Sequence, residues 1–313
     1  MGRFEDELIL QERQMKNLLG DLSKLIPYFE IPTVTDVNVY GDGNVEICDF
    51  EKGSYYPDVV LSPAERMRII NSLASVSDTP IDKWKFASLE SIIPKYNIRT
   101  TAILPPVTRA PEITFRKPAE KIFPLEGYLE ENRLSKEFYD KIVSHIGKRS
   151  NIVVSGSTGS GKTTFTNACL KKMQELTPNE RWFVVEDTPE LQTDNPKATM
   201  LNIRKDQAVT AVQLALRWTP KRIIFGELRS AAVAIELLDS AWLSGHPGNI
   251  TTIHADSASA TIPRLEGLLR QIILGQLPDL ANCIHLIVHL SNRAGFGPFI
   301  DEVLTVEEIQ GGS

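Results

Sequence analysis

The chain has 313 residues, of which 42% are hydrophobic and 24% charged, and it carries a net charge of −6. That length is long for one hydrophobic core and points to two domains, while the composition is that of a globular rather than a disordered chain. The negative balance gives no overall basic footprint for nucleic acid or anionic lipid, and no apolar run reaches membrane-spanning length. Cys48, Cys169 and Cys283 are scattered without metal-ligand spacing. So sparse a set suits a reducing cytosol, and the apolar surroundings of Cys169 and Cys283 read as core. The N-terminus is acidic and amphipathic with no signal-peptide core, so the expected location is cytoplasmic.

Residues 4–25 read as a charged helix that ends before Pro27. Val34, Val37 and Val39, a Gly41-Asp42-Gly43-Asn44 turn, then Val45 and Ile47 give the alternation of a hairpin. Residues 63–76 follow as a helix, with proline at its start and Ile69, Ile70 and Leu73 along one side. Segments 97–104 and 110–116 read as strands. Residues 1–118 therefore form a smaller α+β domain, the mixed, proline-containing segment 119–126 a linker, and 127–313 the second domain.

In that second part, one or two helices over 126–148 lead into the apolar run Ile152-Val153-Val154, and a helix over 162–174 follows the next turn. Strands are expected at 181–186, 222–225, 249–253, 283–290 and 301–306. Helices are expected at 206–218, with Asp206 as N-cap, at 230–243, ended by Gly245, and at 264–273. Strands alternating with helices imply an α/β fold, a mostly parallel sheet with helices on both faces, whose ligands sit at the carboxyl ends of the strands. The chain shows no internal repeat and no low-complexity tract.

Between the first of these strands and its helix lies Gly156-Ser157-Thr158-Gly159-Ser160-Gly161-Lys162-Thr163-Thr164, a full match to the G-x-x-x-x-G-K-[ST] phosphate loop. Its glycines let backbone N–H groups turn inward as an anion nest, and the helix N-terminus adds its partial positive charge. Lys162 is expected on the β- and γ-phosphates and the Thr163 hydroxyl on Mg²⁺, with ATP or GTP as ligand. A glycine-rich turn would match by accident in roughly one chain of this length in a hundred, and the strand-before, helix-after setting makes that rarer still.

Two strands end in acids at the same edge: Glu186 in Val184-Val185-Glu186-Asp187-Thr188-Pro189-Glu190, and Glu227 in Ile223-Ile224-Phe225-Gly226-Glu227-Leu228-Arg229. Beside Mg²⁺-ATP such an acid holds a metal-bound water or orients the attacking one, so both are candidate catalytic and metal-side residues; the bland reading is a solvated carboxylate at a strand end. His254 closes the strand that follows His246 and is placed to sense the γ-phosphate, whereas His285 and His289 in an apolar strand read as structural.

Together these segments resemble the secretion-superfamily traffic ATPases of type IV secretion and conjugative transfer. The motifs are the Walker A loop GSTGSGKTT, the Asp box RWFVVEDTPEL, the Walker B-like RIIFGELR and the His box GHPGNITTIHAD. Compact length and the absence of a tetracysteine segment are similar to the conjugative-transfer (TrbB-type) branch more than to the type II branch. The resemblance implies a RecA-like P-loop domain preceded by a PAS-like N-terminal domain, a homohexameric ring, and ATP with Mg²⁺ held between the two domains. It implies that Arg99, Arg116 and Arg217 approach the phosphates, and that partners are inner-membrane secretion-channel or pilus-assembly proteins, with peripheral membrane association and no direct nucleic acid. One departure is Lys221 in Arg217-Trp218-Thr219-Pro220-Lys221-Arg222, where the family often has an acid. A nucleic-acid translocase, a type IV pilus or type II secretion ATPase, and a nucleotide-operated switch stay open as alternatives, as does the choice between Glu186 and Glu227 for water.

Overall fold

The computed structural model describes residues 2–49, 51–77, 81, 87–118, 122–243, 245–293 and 297–311. Two compact units divide the chain, residues 1–120 and 121–313.

The first unit contains α1 (Gly2–Asp21), α2 (Ile26–Phe29), β1 (Val34–Val39), β2 (Val45–Asp49), β3 (Gly53–Tyr55), α3 (Pro63–Val76), β4 (Ser88–Ile93), β5 (Ile98–Ile103) and β6 (Glu112–Arg116). Its strands make one antiparallel sheet in the order β3-β2-β1-β6-β5-β4. Alternation in β1 and β2 sends Val37, Val39, Val45 and Ile47 into a core with Leu18 of α1, Leu22 just after it, and Ile69, Ile70 and Leu73 of α3. Gly43 is required at the hairpin: its φ is 95°, and a Cβ there would stand 2.3 Å from the Leu61 carbonyl oxygen. Ser62 and Glu65 close a reciprocal capping box on α3. The helix expected over 4–25 stops at Asp21, because Pro27 starts a separate helical turn in which its missing N–H costs nothing.

The other sheet face is polar. Register sets Asp36 opposite Arg116 and Arg116 opposite Arg99 across β1, β6 and β5.

The second unit contains α4 (Leu125–Glu130), α5 (Lys136–Gly147), β7 (Ile152–Gly156), α6 (Lys162–Leu176), β8 (Trp182–Glu186), β9 (Ala198–Asn202), α7 (Ala208–Arg217) and β10 (Arg222–Glu227). There follow α8 (Ala231–Ile235), β11 (Ile250–Ile253), α9 (Ala258–Leu269), α10 (Leu280–Cys283), β12 (Leu286–Arg293), β13 (Gly297–Thr305) and α11 (Val306–Gly311). The sheet order is β13-β12-β7-β11-β10-β8-β9, parallel throughout except where β13 runs against β12. Both faces of the strands are covered. Val153, Phe183 and Ile223 pack with α7, α8 and α9, while their neighbours Ile152, Val154 and Val184 pack with α4, α5 and α6.

Several local expectations change. Residues 119–121 lie outside the described residues, and Leu125 and Glu126, read as linker, belong to α4, with Leu125 fully buried. Asp206 is not an N-cap. It sits in a 3₁₀ turn, Lys205–Gln207, and α7 starts at Ala208 without a side-chain cap. The helix expected from residue 264 starts at Ala258 behind a Ser257 cap and tolerates Pro263 inside it, which the usual helix-breaking role of proline hid. The helix of α8 widens into a π-helical stretch, Glu236–Trp242. Strands β3, β4 and β9 were not expected at all; β9 is a half-exposed edge without the apolar run of its neighbours.

A buried polar network fixes the amino ends of the central strands. Asn151, before β7, accepts from the backbone N–H and the side chain of Asn249, before β11, each at 3.1 Å. Asn249 Oδ1 in turn accepts from the N–H of Ile223 in β10. Arg222, with no exposed surface, pairs with Glu180 and donates to the carbonyl of Gly248 and the hydroxyl of Thr177. Buried groups this completely satisfied fix strand register.

Candidate nucleotide site

All five residues of β7 are buried, so the strand is a fixed platform from which the chain must turn abruptly into α6. Two glycines make that turn. Gly159 has φ 74° and Gly161 φ 85°, and a Cβ on Gly161 would approach Pro298 Cγ to 2.5 Å. Gly161 offers no side chain to cap α6, which leaves the first-turn N–H groups to a ligand. Ser157, Thr158 and Gly159 form the exposed crest, Thr164 is half-buried, and the Ser160 hydroxyl is buried without a hydrogen-bond partner.

Lys162 is only 7% exposed. Its Nζ donates to the carbonyls of Gly156 at 3.0 Å and Ser157 at 2.8 Å, and stands 3.2 Å from His254 Nδ1. Burial pulls its pKa down from the usual lysine value. His254 Nε2 lies 2.9 Å from Glu227 Oε1, so the histidine bridges the loop lysine and the strand-end acid. Arg229 holds Glu227 from the other side at 2.7 Å and Asp187 at 3.0 Å. Parallel pairing of β7, β11 and β10 brings these groups to one edge.

Glu186 has a different task. It is 5% exposed and accepts from the backbone N–H groups of Glu190 and Leu191. Burial pushes its carboxyl up to about 7 against the pull of those two hydrogen bonds. It thus anchors the segment after β8. Asn167 of α6 clamps the same segment, donating to the Glu190 carbonyl at 3.0 Å and accepting from the Gln192 N–H at 2.9 Å. So held, Glu190 receives the Thr163 hydroxyl at 3.0 Å. Glu190, Asn167, Asp187 and Arg229 are the residues the sequence reading missed as site members. Glu190 stands in the Asp box itself, four positions after Glu186, and that spacing across Pro189 was the available signal. Gly226 is explained as well: a Cβ there would come within 3.1 Å of Glu186 Cβ, so an acid in its place would crowd the anchor.

The arrangement therefore unites Lys162, Thr163, Glu186, Glu227 and His254. It does not unite Arg217 with them. That exposed residue ends α7, just before the amino end of β10, and so lies at the sheet edge opposite the phosphate loop in its own chain. Arg99 and Arg116 stand side by side on the polar face of the first unit, where Asp36 comes within 3.7 Å of Arg116. Like charges on directly opposed strand positions repel, and Asp36 offsets part of that at Arg116.

A hard divalent cation with bound phosphates takes a hydroxyl and a carboxylate as ligands, and the Thr163–Glu190 oxygen pair fits that donor set. Among the described residues no cluster of three or more His, Cys, Asp or Glu would hold a metal without such phosphates.

Residues 83–294 match the family described as "Type II/IV secretion system protein". The chain belongs to that family. A conjugal transfer protein TrbB of Rhizobium radiobacter is 31% identical, over 94% of this chain and 90% of the relative. The type IV secretion system protein VirB11 of Bartonella quintana is 30% identical over 67% of this chain and 69% of its own. Among solved structures, the Brucella suis VirB11 ATPase in complex with sulphate is 26% identical with a TM-score of 0.50, covering 96% of this chain and 98% of that one. The Legionella pneumophila ATPase DotB, 21% identical, covers 93% of this chain and 82% of its own with a TM-score of 0.66, which bears on the fold alone. The mixed α/β domain with a mostly parallel sheet, behind an N-terminal sheet domain, is thus the family's fold.

Proposed function

We propose that the chain is the ATP-hydrolysing motor of a type IV secretion or conjugative transfer system. The observation that carries this reading is the bridge Lys162–His254–Glu227 at the mouth of a complete phosphate loop, in a chain whose near full-length relative is a conjugal transfer protein. The reaction is ATP + H₂O → ADP + phosphate. Lys162 and the first amides of α6 stabilise the transferring phosphoryl group. Glu227, held by Arg229 and standing beside His254, positions the attacking water and accepts its proton. Thr163 and Glu190 would hold Mg²⁺, which would supply charge neutralisation to the phosphates. Glu186 holds Glu190 in place rather than touching the metal.

In this reading six chains form a ring that works in the cytoplasm against inner-membrane channel or pilus-assembly proteins. Among the described residues no helix is long and apolar enough to cross a membrane. The deciding measurement is Mg²⁺-dependent turnover per chain against protein concentration, with size followed in parallel. Turnover should rise and saturate as rings form. Turnover that stays flat down to concentrations at which only monomer is present would exclude the ring mechanism.

The metal assignment has its own test. Glu190→Ala should raise the free Mg²⁺ needed for half-maximal turnover by about 10–100-fold, the usual cost of losing a group that supports a metal. An unchanged requirement would reduce Glu190 to a structural partner of Thr163.

A further inference from the structure

The edge of the second sheet opposite the phosphate loop carries a cavity of about 390 Å³, lined in part by Arg149, Thr219, Pro220, Lys221, His246 and Pro247. Chain order places it there, since these residues precede β7, β10 and β11. Two of its lining residues pay conformational strain. Arg149 (φ 60°) and Thr219 (φ 51°) take the left-handed backbone just past the ends of α5 and α7, positions where glycine is the usual choice. Each keeps a side chain at that cost.

The charge here runs against the rest of the molecule. Within a chain of net −6, the segments meeting at this edge bring Lys148, Arg149, Arg181, Arg217, Lys221 and Arg222. Glu180 lies among them and is already engaged by Arg149 and Arg222. Lys221 is exposed and has no acidic partner among the described residues, and the same holds for Arg217. Arg181 lies over the Trp218 ring, 5.2 Å from its centre, and Trp218 itself is 41% exposed. Leu243, two residues before Gly245, is 39% exposed. Leu216, Pro220 and Pro247 line the cavity with Arg149 and Lys221, a combination that favours an extended acidic peptide carrying an apolar side chain over a small inorganic anion.

We propose that this edge is a docking site for an acidic peptide segment of a partner protein, with Lys221 as its exposed charge anchor. The site is built into the strands that serve the nucleotide. Arg149 donates to the Lys221 carbonyl at 2.7 Å, and Arg222, Gly248 and Asn249 belong to the network that fixes β7, β10 and β11. Those strands end at the phosphate loop, Glu227 and His254. The surrounding negative charge repels acidic segments elsewhere, which confines them to this patch.

The test is fluorescence anisotropy of a labelled ten-residue peptide of six glutamates with interspersed leucines, titrated with the full chain at low salt. Saturable binding is expected, weakened at least tenfold by Lys221→Glu, retained by Lys221→Arg, and unaffected by Lys162→Ala. Lys52→Glu, an exposed reversal on the first unit, should also leave it unaffected. Four results overturn the proposal. No saturable binding removes the site. Equal weakening by Lys221→Glu and Lys52→Glu reduces it to general electrostatics. Loss in Lys162→Ala moves the peptide to the phosphate loop. If the peptide fails to bind while Lys221→Glu changes the size of the assembly, the occupant is a second copy of this chain and the partner assignment is wrong. Melting temperatures of all variants establish that each is folded.

Discussion

Glu227→Gln should lower ATP turnover by about 10²–10⁴-fold, the range expected when a group that manages a proton in the transition state is neutralised. Glutamine keeps the shape and can still meet Arg229 and His254, so nucleotide binding and folding should survive. Glu186→Gln should cost less than about tenfold, equivalent to about 1.4 kcal/mol of barrier. The two acids end neighbouring parallel strands, yet their surroundings part them. Glu227 faces a histidine and an arginine at the phosphate edge, whereas Glu186 is committed to two backbone N–H groups. Single-turnover and steady-state rates on both variants check this. Equal losses would mean that Glu186 also reaches the reacting phosphate, and the role assigned to Glu190 would fall with that result.

The same comparison carries a pH signature. Glu186 titrates near 7 in the folded chain against 4.5 for an ordinary glutamate. A folded pKa above the unfolded one penalises the ionised form. The penalty is absent below about pH 4.5, grows as pH rises, and is complete above about 7. Glu186→Gln does not titrate. Its melting temperature relative to the parent should therefore rise between pH 5 and pH 8 in metal-free, nucleotide-free buffer. The shift would correspond to about 2 kcal/mol, of the order set by the difference in pKa.

What the sequence discloses depends on whether the cause is local. The phosphate loop is legible because all its requirements lie within one short stretch, residues 152–164: a buried strand, glycines at left-handed positions, and a helix left uncapped. The α3 helix and the β1–β2 hairpin are legible for the same reason, each carrying its own cap or turn. Glu190 is not, since its place depends on a segment folding back to Glu186 and Asn167, and nothing in the order of residues says which of two acids turns inward. Helix α9 runs through Pro263 because tertiary packing of Leu265, Leu268 and Leu269 outweighs one lost backbone hydrogen bond. Arg217 rested on resemblance alone, and strand order, which emerges only from the folded sheet, puts it at the far edge.

Lys162→Ala should abolish measurable turnover, a loss of at least about 10²–10³-fold, as when one preorganised donor to a developing charge is removed. The same change should barely alter stability. Among the described residues no carboxylate pairs with this ammonium group, and its pKa is held down chiefly by burial, with Glu227 and Glu190 only partly offsetting this. Its three contacts are the carbonyls of buried Gly156 and exposed Ser157 and one ring nitrogen of half-exposed His254, and water can reach the last two once the side chain is gone. A shift in melting temperature within about 2–4 °C, corresponding to about 1 kcal/mol for a unit of this size, is therefore expected. A larger fall would show that Lys162 stabilises the empty loop and is not held in reserve for phosphate. Retained turnover with an unchanged melting temperature would be more serious. It would mean that the buried cation, the uncapped helix and the acid beyond His254 do not act on one ligand, and the motor assignment would lose its chemical basis.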